Sequence, residues 1–285
     1  MDERKRQPLN QLLTSLAPGL MVDSAWLQAQ GISRTSIHDY VQRGWLERVA
    51  PRVYRRATTG STTGLRWDMA VISAQRIEPT SFYVGGMTAL ELLGHGHFAR
   101  LGGDREVHLY DPDGTIPSWL AKLPTDATMI LHTRALFPTP SLGVEWHRLD
   151  LGTTRLGAVV PSPDASEPWD HFLRVAGAER ASIEMMEDVP QGLSFEHVDT
   201  VFEGLTTLRP KVVTKLLEGC ASVRAKRLFL FFGDRHDHGW AKRIDRDAID
   251  LGRGKRQLVA GGRLDATYQI TVPVGLAAKA GATAQ

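Results

Sequence analysis

Residues that could hydrogen-bond to the bases of a nucleic acid lie close together near the start of the chain. Arg34, Thr35, Ser36 and His38 fall within five positions. An arginine can donate two hydrogen bonds to guanine O6 and N7, and hydroxyl groups can bond to bases or to phosphates. Such side chains in the first turn of a helix are typical of the element that enters the major groove of DNA. The pattern therefore predicts a base-reading segment here.

A second group of basic residues follows within about twenty positions. It contains Arg48, Arg52, Arg55 and Arg56. We expect these arginines to face the DNA backbone, where cations displace condensed counterions and add affinity without reading sequence. The alternative is that this region binds another protein, because small domains with a helix and a basic hairpin also act as protein-docking modules.

Three short helices and a hairpin would position both groups. The spacing of apolar residues predicts helices at Leu9–Leu16, at Ala25–Ala29 and from Arg34 to about Arg43. Asp23 or Ser24 can cap the second helix and Ser33 the third, while Gly31 and Gly44 end them. Two strands, Trp45–Val49 and Val53–Arg56, form the hairpin, and Trp45 and Tyr54 should bury against Leu46 and Ile37. This arrangement is a winged helix-turn-helix of about 55 residues.

The rest of the chain predicts a second, larger domain. The run TTGSTTG from Thr58 to Gly64 has linker composition, which places the domains at 1–58 and 65–285. Strands are expected at 107–110, 128–132, 143–149 and 156–160, and helices at 66–77, 88–93, 179–187, 195–205 and 209–219. We therefore predict an α+β fold with an N-terminal winged helix-turn-helix and a larger mixed α+β domain.

Composition restricts the protein classes that the chain can belong to. It has 285 residues, 42% of them hydrophobic and 23% charged, which is typical of a globular protein. A single cysteine, Cys220, excludes an intramolecular disulfide and a cysteine-rich zinc module. No apolar run approaches the length that spans a bilayer. We expect a cytoplasmic protein with no membrane partner.

Charge is distributed unevenly along the chain. The net charge is +4 over residues 1–60, −10 over 61–204 and +8 over 205–263. The last of these segments, which we call the basic block, could neutralise the acidic segment within the folded chain. It could instead contact DNA phosphates or RNA.

Other chemically capable residues form weaker patterns. His95 and His97, and likewise His236 and His238, could ligate a metal, but spacing fixes no third ligand. The segment Gly252–Arg256 resembles a phosphate-binding loop in composition only, and Cys220 lies among apolar neighbours. GxSxG and HExxH motifs are absent from the sequence. We therefore predict no catalytic residue, no metal site and no cofactor.

Three stretches together resemble the AbiEi family of antitoxins from bacterial type IV toxin–antitoxin systems. They are GISRTSIHDYVQRGWLERVAPRVYRR, FYVGGMTALELLGHGH and the C-terminal stretch that begins KRLFLFFGDRHDHGW and ends at QITVP. The resemblance implies a winged helix that binds inverted repeats in the promoter of its own operon and represses it. The C-terminal domain would counter a nucleotidyltransferase toxin without a stable complex.

The resemblance also assigns DNA contacts to individual residues. In the helix they are Arg34, Thr35, Ser36, His38 and Arg43, and in the wing they are Arg48, Arg52, Arg55 and Arg56. Wings of this kind often have glycine at the turn where this chain has Arg52. Two alternatives stay open for the C-terminal domain: a DNA-tethered enzyme such as a nuclease, and a module that binds the toxin directly.

Overall fold

The structure is a computed structural model that describes residues 10, 12–57, 64–77, 80–96, 105–161 and 170–277. The chain divides into two compact units. The first comprises Met1–Tyr83, Gly102–Thr133 and Trp146–Arg174, and the second comprises Val84–Leu101, Arg134–Glu145 and Val175–Gln285. Residues 58–63 of the expected linker lie outside the described residues. The domain boundary between residues 58 and 65 therefore stays a prediction.

The N-terminal part of the first unit is a small helical domain with a three-stranded antiparallel sheet. After a helical turn at residues 12–15, its elements are β1 (Met21–Asp23), α1 (Ser24–Ala29), α2 (Arg34–Gln42), β2 (Leu46–Ala50) and β3 (Val53–Arg56). The strand order is β1-β3-β2. The predicted helices α1 and α2 and the predicted hairpin are confirmed. The sequence does not predict β1, because three residues are too few to show an alternating pattern.

Side-chain caps fix where these helices begin. The Asp23 carboxylate accepts a hydrogen bond from the Trp26 N–H at 2.8 Å, which settles the choice between Asp23 and Ser24. Ser33 Oγ accepts one from the Ser36 N–H at 3.1 Å. Each cap satisfies an N–H group that has no partner inside its own helix.

Helix α3 (Trp67–Ile77) packs on β1 within the first unit. The Ser73 hydroxyl accepts a buried hydrogen bond from the Met21 N–H at 2.9 Å. Most of α3, from Trp67 to Gln75, is buried. The predicted amphipathic helix is therefore a core element.

A six-stranded mixed sheet follows. Its strands are β4 (Tyr83–Val84), β5 (Glu106–Tyr110), β6 (Thr128–His132), β7 (Val144–Asp150), β8 (Arg155–Val160) and β9 (Phe172–Ala176), in the order β6-β5-β4-β9-β7-β8. Strands β5 and β6 are parallel, and β7 and β8 are antiparallel. The sequence predicts β5 to β8 but neither β4 nor β9. Strand β9 is buried at four of its five residues, so it shows no alternation.

The second unit is mainly helical. It contains α4 (Gly86–Leu92), α5 (Ala178–Glu184), α6 (Phe195–Gly204), α7 (Pro210–Gly219), α8 (Val223–Arg235) and the short strands β10 (Arg263–Leu264) and β11 (Thr271–Val272). The Phe202 ring lies 5.4 Å from both Phe229 and Phe232, measured between centroids. The α+β class is confirmed. Among the helices of the described residues, none is long and apolar enough to cross a membrane.

A buried ion pair lies at the centre of the second unit. Arg180 and Glu184, 2% and 0% exposed, are one helical turn apart in α5 and join at 2.9 Å. The other Glu184 oxygen accepts the Gly86 N–H at 3.0 Å, which connects α5 to the start of α4. Arg180 also donates to the carbonyl oxygen of Leu142 at 2.7 Å. Because both charges have partners, these interactions offset the desolvation penalty of burying the pair.

A second buried carboxylate depends on a single arginine. Glu179, whose side chain is 5% exposed, accepts hydrogen bonds from Nε and Nη2 of Arg209 at 2.9 and 3.0 Å and from its backbone N–H at 2.8 Å. Burial alone would raise the pKa of Glu179, but the hydrogen bonds from Arg209 outweigh it and hold that pKa below its usual range. The ionised form of Glu179 therefore stabilises the folded state near neutral pH.

We expect Arg209→Ala to lower the free energy of unfolding by about 2 to 3 kcal/mol at pH 7, because it leaves a buried carboxylate with backbone donors only and no charged partner from Arg209. A carboxyl group whose pKa is lower in the folded state than in the unfolded state stabilises the folded protein at pH values above its unfolded pKa. That stabilisation is lost as the pH falls through the folded pKa. The deficit of the variant should therefore shrink in acid, where Glu179 becomes protonated.

Urea denaturation at pH 7 and pH 4 measures this deficit. The matched control is Lys211→Ala, which removes an exposed cation two residues away and should have little effect on stability. An equal deficit at both pH values would contradict a role for the Glu179 charge.

Candidate nucleic-acid interface

Helix α2 presents the predicted base-reading side chains on its exposed face. Arg34, Thr35 and His38 are exposed, while Ile37 and Tyr40 are buried on the opposite face. Among the described residues, Arg34 forms no ion pair. The first two turns of α2 thus offer a guanidinium, a hydroxyl and an imidazole to a ligand.

Ser36 is less exposed than the other predicted base-reading side chains of α2. It is half-buried, and its Oγ lies 2.9 Å from Ser33 Oγ, within the cap of α2. Its hydroxyl therefore takes part in holding the start of the helix. A contact between Ser36 and DNA stays a prediction.

The end of α2 packs against the wing through aromatic rings. The Trp45 ring lies 5.4 Å from Tyr40, and the guanidinium carbon of Arg43 lies 5.6 Å from the Trp45 ring centroid. Arg43 is exposed, so its guanidinium is accessible to a ligand while it lies over this ring. Trp45 and Tyr54 are only half-buried. The expectation that these two aromatic residues bury within the domain therefore holds only in part.

Two of the four wing arginines are exposed. Arg48 lies in β2, and Arg52 lies in the turn between β2 and β3. Arg52 has a φ angle of +64°, in the left-handed region that favours glycine. Its carbonyl oxygen accepts the N–H of Ser24, the first residue of α1, at 2.9 Å. The chain therefore has an arginine in a conformation where glycine is easier to accommodate.

The other two wing arginines have partners inside the domain. Arg55, whose side chain is 14% exposed, forms an ion pair with Glu47 on the paired strand at 2.6 Å. Arg56 donates to the carbonyl oxygens of Leu13 and Leu16, both at 2.6 Å. Burial lowers the pKa of Arg56. Both guanidinium groups thus help to hold the wing in place.

The other histidine candidates and Cys220 have structural partners where the structure describes them. His236 Nε2 lies 2.8 Å from the Asp199 carboxylate, and His238 Nε2 lies 2.6 Å from the Phe202 carbonyl oxygen. Cys220 is buried, and burial raises the pKa of its thiol. His97 lies outside the described residues.

One pair of histidines is not evident from the sequence. His108 Nδ1 and His132 Nε2 lie 2.9 Å apart on the neighbouring parallel strands β5 and β6. At this distance they share one hydrogen bond, so at least one ring is neutral. The two residues are 24 positions apart, and only the strand register brings them together.

Comparisons with known proteins identify both parts of the chain. Residues 5–101 match the family model described as "Transcriptional regulator, AbiEi antitoxin N-terminal domain". Residues 104–273 match the model described as "Transcriptional regulator, AbiEi antitoxin, Type IV TA system". No curated protein matches the chain. The crystal structure of the RV2827C protein from Mycobacterium tuberculosis is similar in fold, with a TM-score of 0.50 and 13% identity over 95% of this chain and 92% of that one.

We expect Arg52→Gly to raise the free energy of unfolding by about 0.5 to 1 kcal/mol. Glycine relieves the left-handed strain, although it costs some backbone entropy on folding. Arg48→Gly is the matched control, because it removes the same side chain from a strand and should destabilise by a similar amount. Thermal denaturation of both variants measures the difference. A loss of stability in Arg52→Gly would contradict strain at this turn.

Proposed function

Because the chain belongs to the AbiEi family of type IV toxin–antitoxin transcriptional regulators, we propose that α2 and the wing bind inverted repeats in the promoter of its own operon and repress that operon. The observation that carries the proposal is the exposed first turn of α2 beside a wing with exposed arginines. A helix of this kind fits the major groove, and a wing of this kind follows the adjacent backbone.

The proposed division of roles follows from position. Arg34, Thr35 and His38, together with Ser36, lie where base edges would be read. Arg43, Arg48 and Arg52 lie where phosphates of the backbone would be contacted. Arg34 would therefore contribute to sequence specificity, and the wing to affinity for any duplex.

Arg55 and Arg56 remain predicted DNA contacts, but each would first give up an internal partner. For Arg55 this is the Glu47 carboxylate, and for Arg56 it is the pair of carbonyl oxygens in the first helical segment. Replacing these internal hydrogen bonds by contacts with DNA costs free energy, because the internal acceptors must then be solvated or left unpaired. We expect Arg48 and Arg52 to contribute more to binding.

We further propose that the C-terminal domain counters a nucleotidyltransferase toxin without a stable complex, as the family resemblance implies. Enzymatic activity is not part of this proposal. The buried Cys220, with its raised thiol pKa, is poorly suited to act as a nucleophile. RNA is a further candidate partner of this domain. A DNA-tethered enzyme and a toxin-docking module remain the alternatives.

Arg34→Ala should weaken binding to the operator by about 1 to 3 kcal/mol and relax the preference at one base position. Arg48→Ala should weaken binding to operator and random duplexes alike, because a phosphate contact carries no sequence information. Fluorescence anisotropy with an operator duplex, a set of single-base variants and a random duplex measures both effects.

Arg155→Ala is the matched control for the loss of one exposed cation outside the winged helix. It should bind all these duplexes as the unchanged protein does. If Arg34→Ala lost affinity equally on the operator and on random DNA, the assignment of Arg34 to base reading would be wrong.

The full chain carrying Arg34→Ala and Arg48→Ala should still protect cells from the proposed nucleotidyltransferase toxin, because neutralisation is assigned to the C-terminal domain. Growth rescue and a promoter reporter, measured in the same co-expressing cells, separate the two activities. The unchanged full chain is the control and should both rescue growth and repress. A toxin that co-purified stoichiometrically with the full chain would favour the docking alternative.

A further inference from the structure

Part of the basic block of the sequence is neutralised within the second unit. Arg209 pairs with Glu179 and Glu145, and Arg224 pairs with Glu187. Arg235 likewise pairs with Asp199. These contacts join the basic block to the acidic segment before it, as the internal-neutralisation hypothesis expects. They leave other cations of the block without such a partner.

The most concentrated of these lie in residues 250–256, which we call the basic loop. Arg253, Lys255 and Arg256 are exposed and form no ion pair among the described residues. Gly252 and Gly254 have φ angles of +62° and +77°, so the backbone turns sharply between the cations. Asp250, at the start of the loop, uses a carboxylate oxygen to accept the Gly252 N–H at 2.7 Å. Three cations therefore face solvent beside one carboxylate.

A buried arginine holds the basic loop from behind. Arg227, 3% exposed in α8, donates to the carbonyl oxygens of Leu251, Gly252 and Gly254 at 2.8, 3.2 and 2.7 Å. These acceptors are uncharged carbonyl oxygens, so they do not neutralise the positive charge of the guanidinium. Burial and the nearby Arg256 both lower the pKa of Arg227. The loop is thus fixed in shape and has a further positive charge beneath it.

The same hydrogen bonds orient the peptide groups of the basic loop. In a trans peptide, the C=O and the N–H point in opposite directions. Because the carbonyl groups of Gly252 and Gly254 point toward Arg227, the N–H groups of Arg253 and Lys255 point away from it. Neither N–H has a hydrogen-bond partner among the described residues. Outward N–H groups at a sharp turn beside cations form an anion-binding surface.

We propose that the basic loop binds the phosphodiester backbone of a nucleic acid. Three cations and two outward N–H groups within one loop can bind several successive phosphates of one nucleic-acid strand. The loop has no aromatic side chain on which a base could stack, so it fits a duplex better than a single strand. The inference does not depend on operator recognition by α2.

The test uses the full chain with Arg253→Ala, Lys255→Ala and Arg256→Ala combined. All three side chains are exposed, so the variant should fold. Binding to random duplex DNA, to duplex RNA and to single-stranded RNA is measured over a range of salt concentrations. On duplex DNA, each lost phosphate contact should reduce the slope of log affinity against log salt by about 0.9, a total of about 2 to 3.

The matched control combines Lys211→Ala, Lys215→Ala and Arg243→Ala, which removes the same charge from exposed positions outside the loop. A slope reduced in the loop variant but not in the control supports the proposal, and the polymer most affected identifies the ligand. Equal slopes in the two variants on all polymers would overturn it. If inorganic phosphate at constant ionic strength perturbed the loop amides while those slopes stayed equal, the site would bind a free anion and the proposal would also fail.

Discussion

Guanidinium groups that donate to main-chain carbonyl oxygens join segments of this chain that are distant in sequence. Arg56 does so for the first helical segment, Arg180 for the segment that ends at Leu142, and Arg227 for the basic loop. A planar guanidinium has five donors in a fixed arrangement, so one side chain can gather several carbonyl groups. A carbonyl oxygen carries only a partial charge. Arg227 therefore remains positive behind the basic loop.

Arginine thus has two uses here, and the sequence does not separate them. Four arginines in one hairpin all resemble phosphate contacts when only the sequence is known. The pairing of Arg55 with Glu47 depends on the strand register, and the acceptors of Arg56 lie about forty positions away. Only the tertiary structure therefore shows that Arg48 is exposed while Arg56 has acceptors inside the domain.

The winged helix was predictable because its signals are local. Ser33 caps α2 three residues before its bonded N–H, and Gly31 and Gly44 each follow the C-cap residue of the helix before them. Strands β4, β10 and β11 have two residues each, too few to show an alternating pattern, and β4 is defined only by its pairing with the distant β9. The same limit applies to the basic block. Its net charge is evident from the sequence, but which cations meet carboxylates depends on the fold.

The hydrogen bond between the Met21 N–H and the Ser73 hydroxyl links the winged helix to α3 across the segment predicted as a linker. A buried N–H that loses its acceptor costs about 1 to 3 kcal/mol, so separating α3 from β1 is unfavourable. In amide hydrogen exchange, the Met21 N–H therefore reports the separation of α3 from β1. We therefore expect the smallest cooperative unit that contains α2 to extend into α3, beyond the winged helix itself.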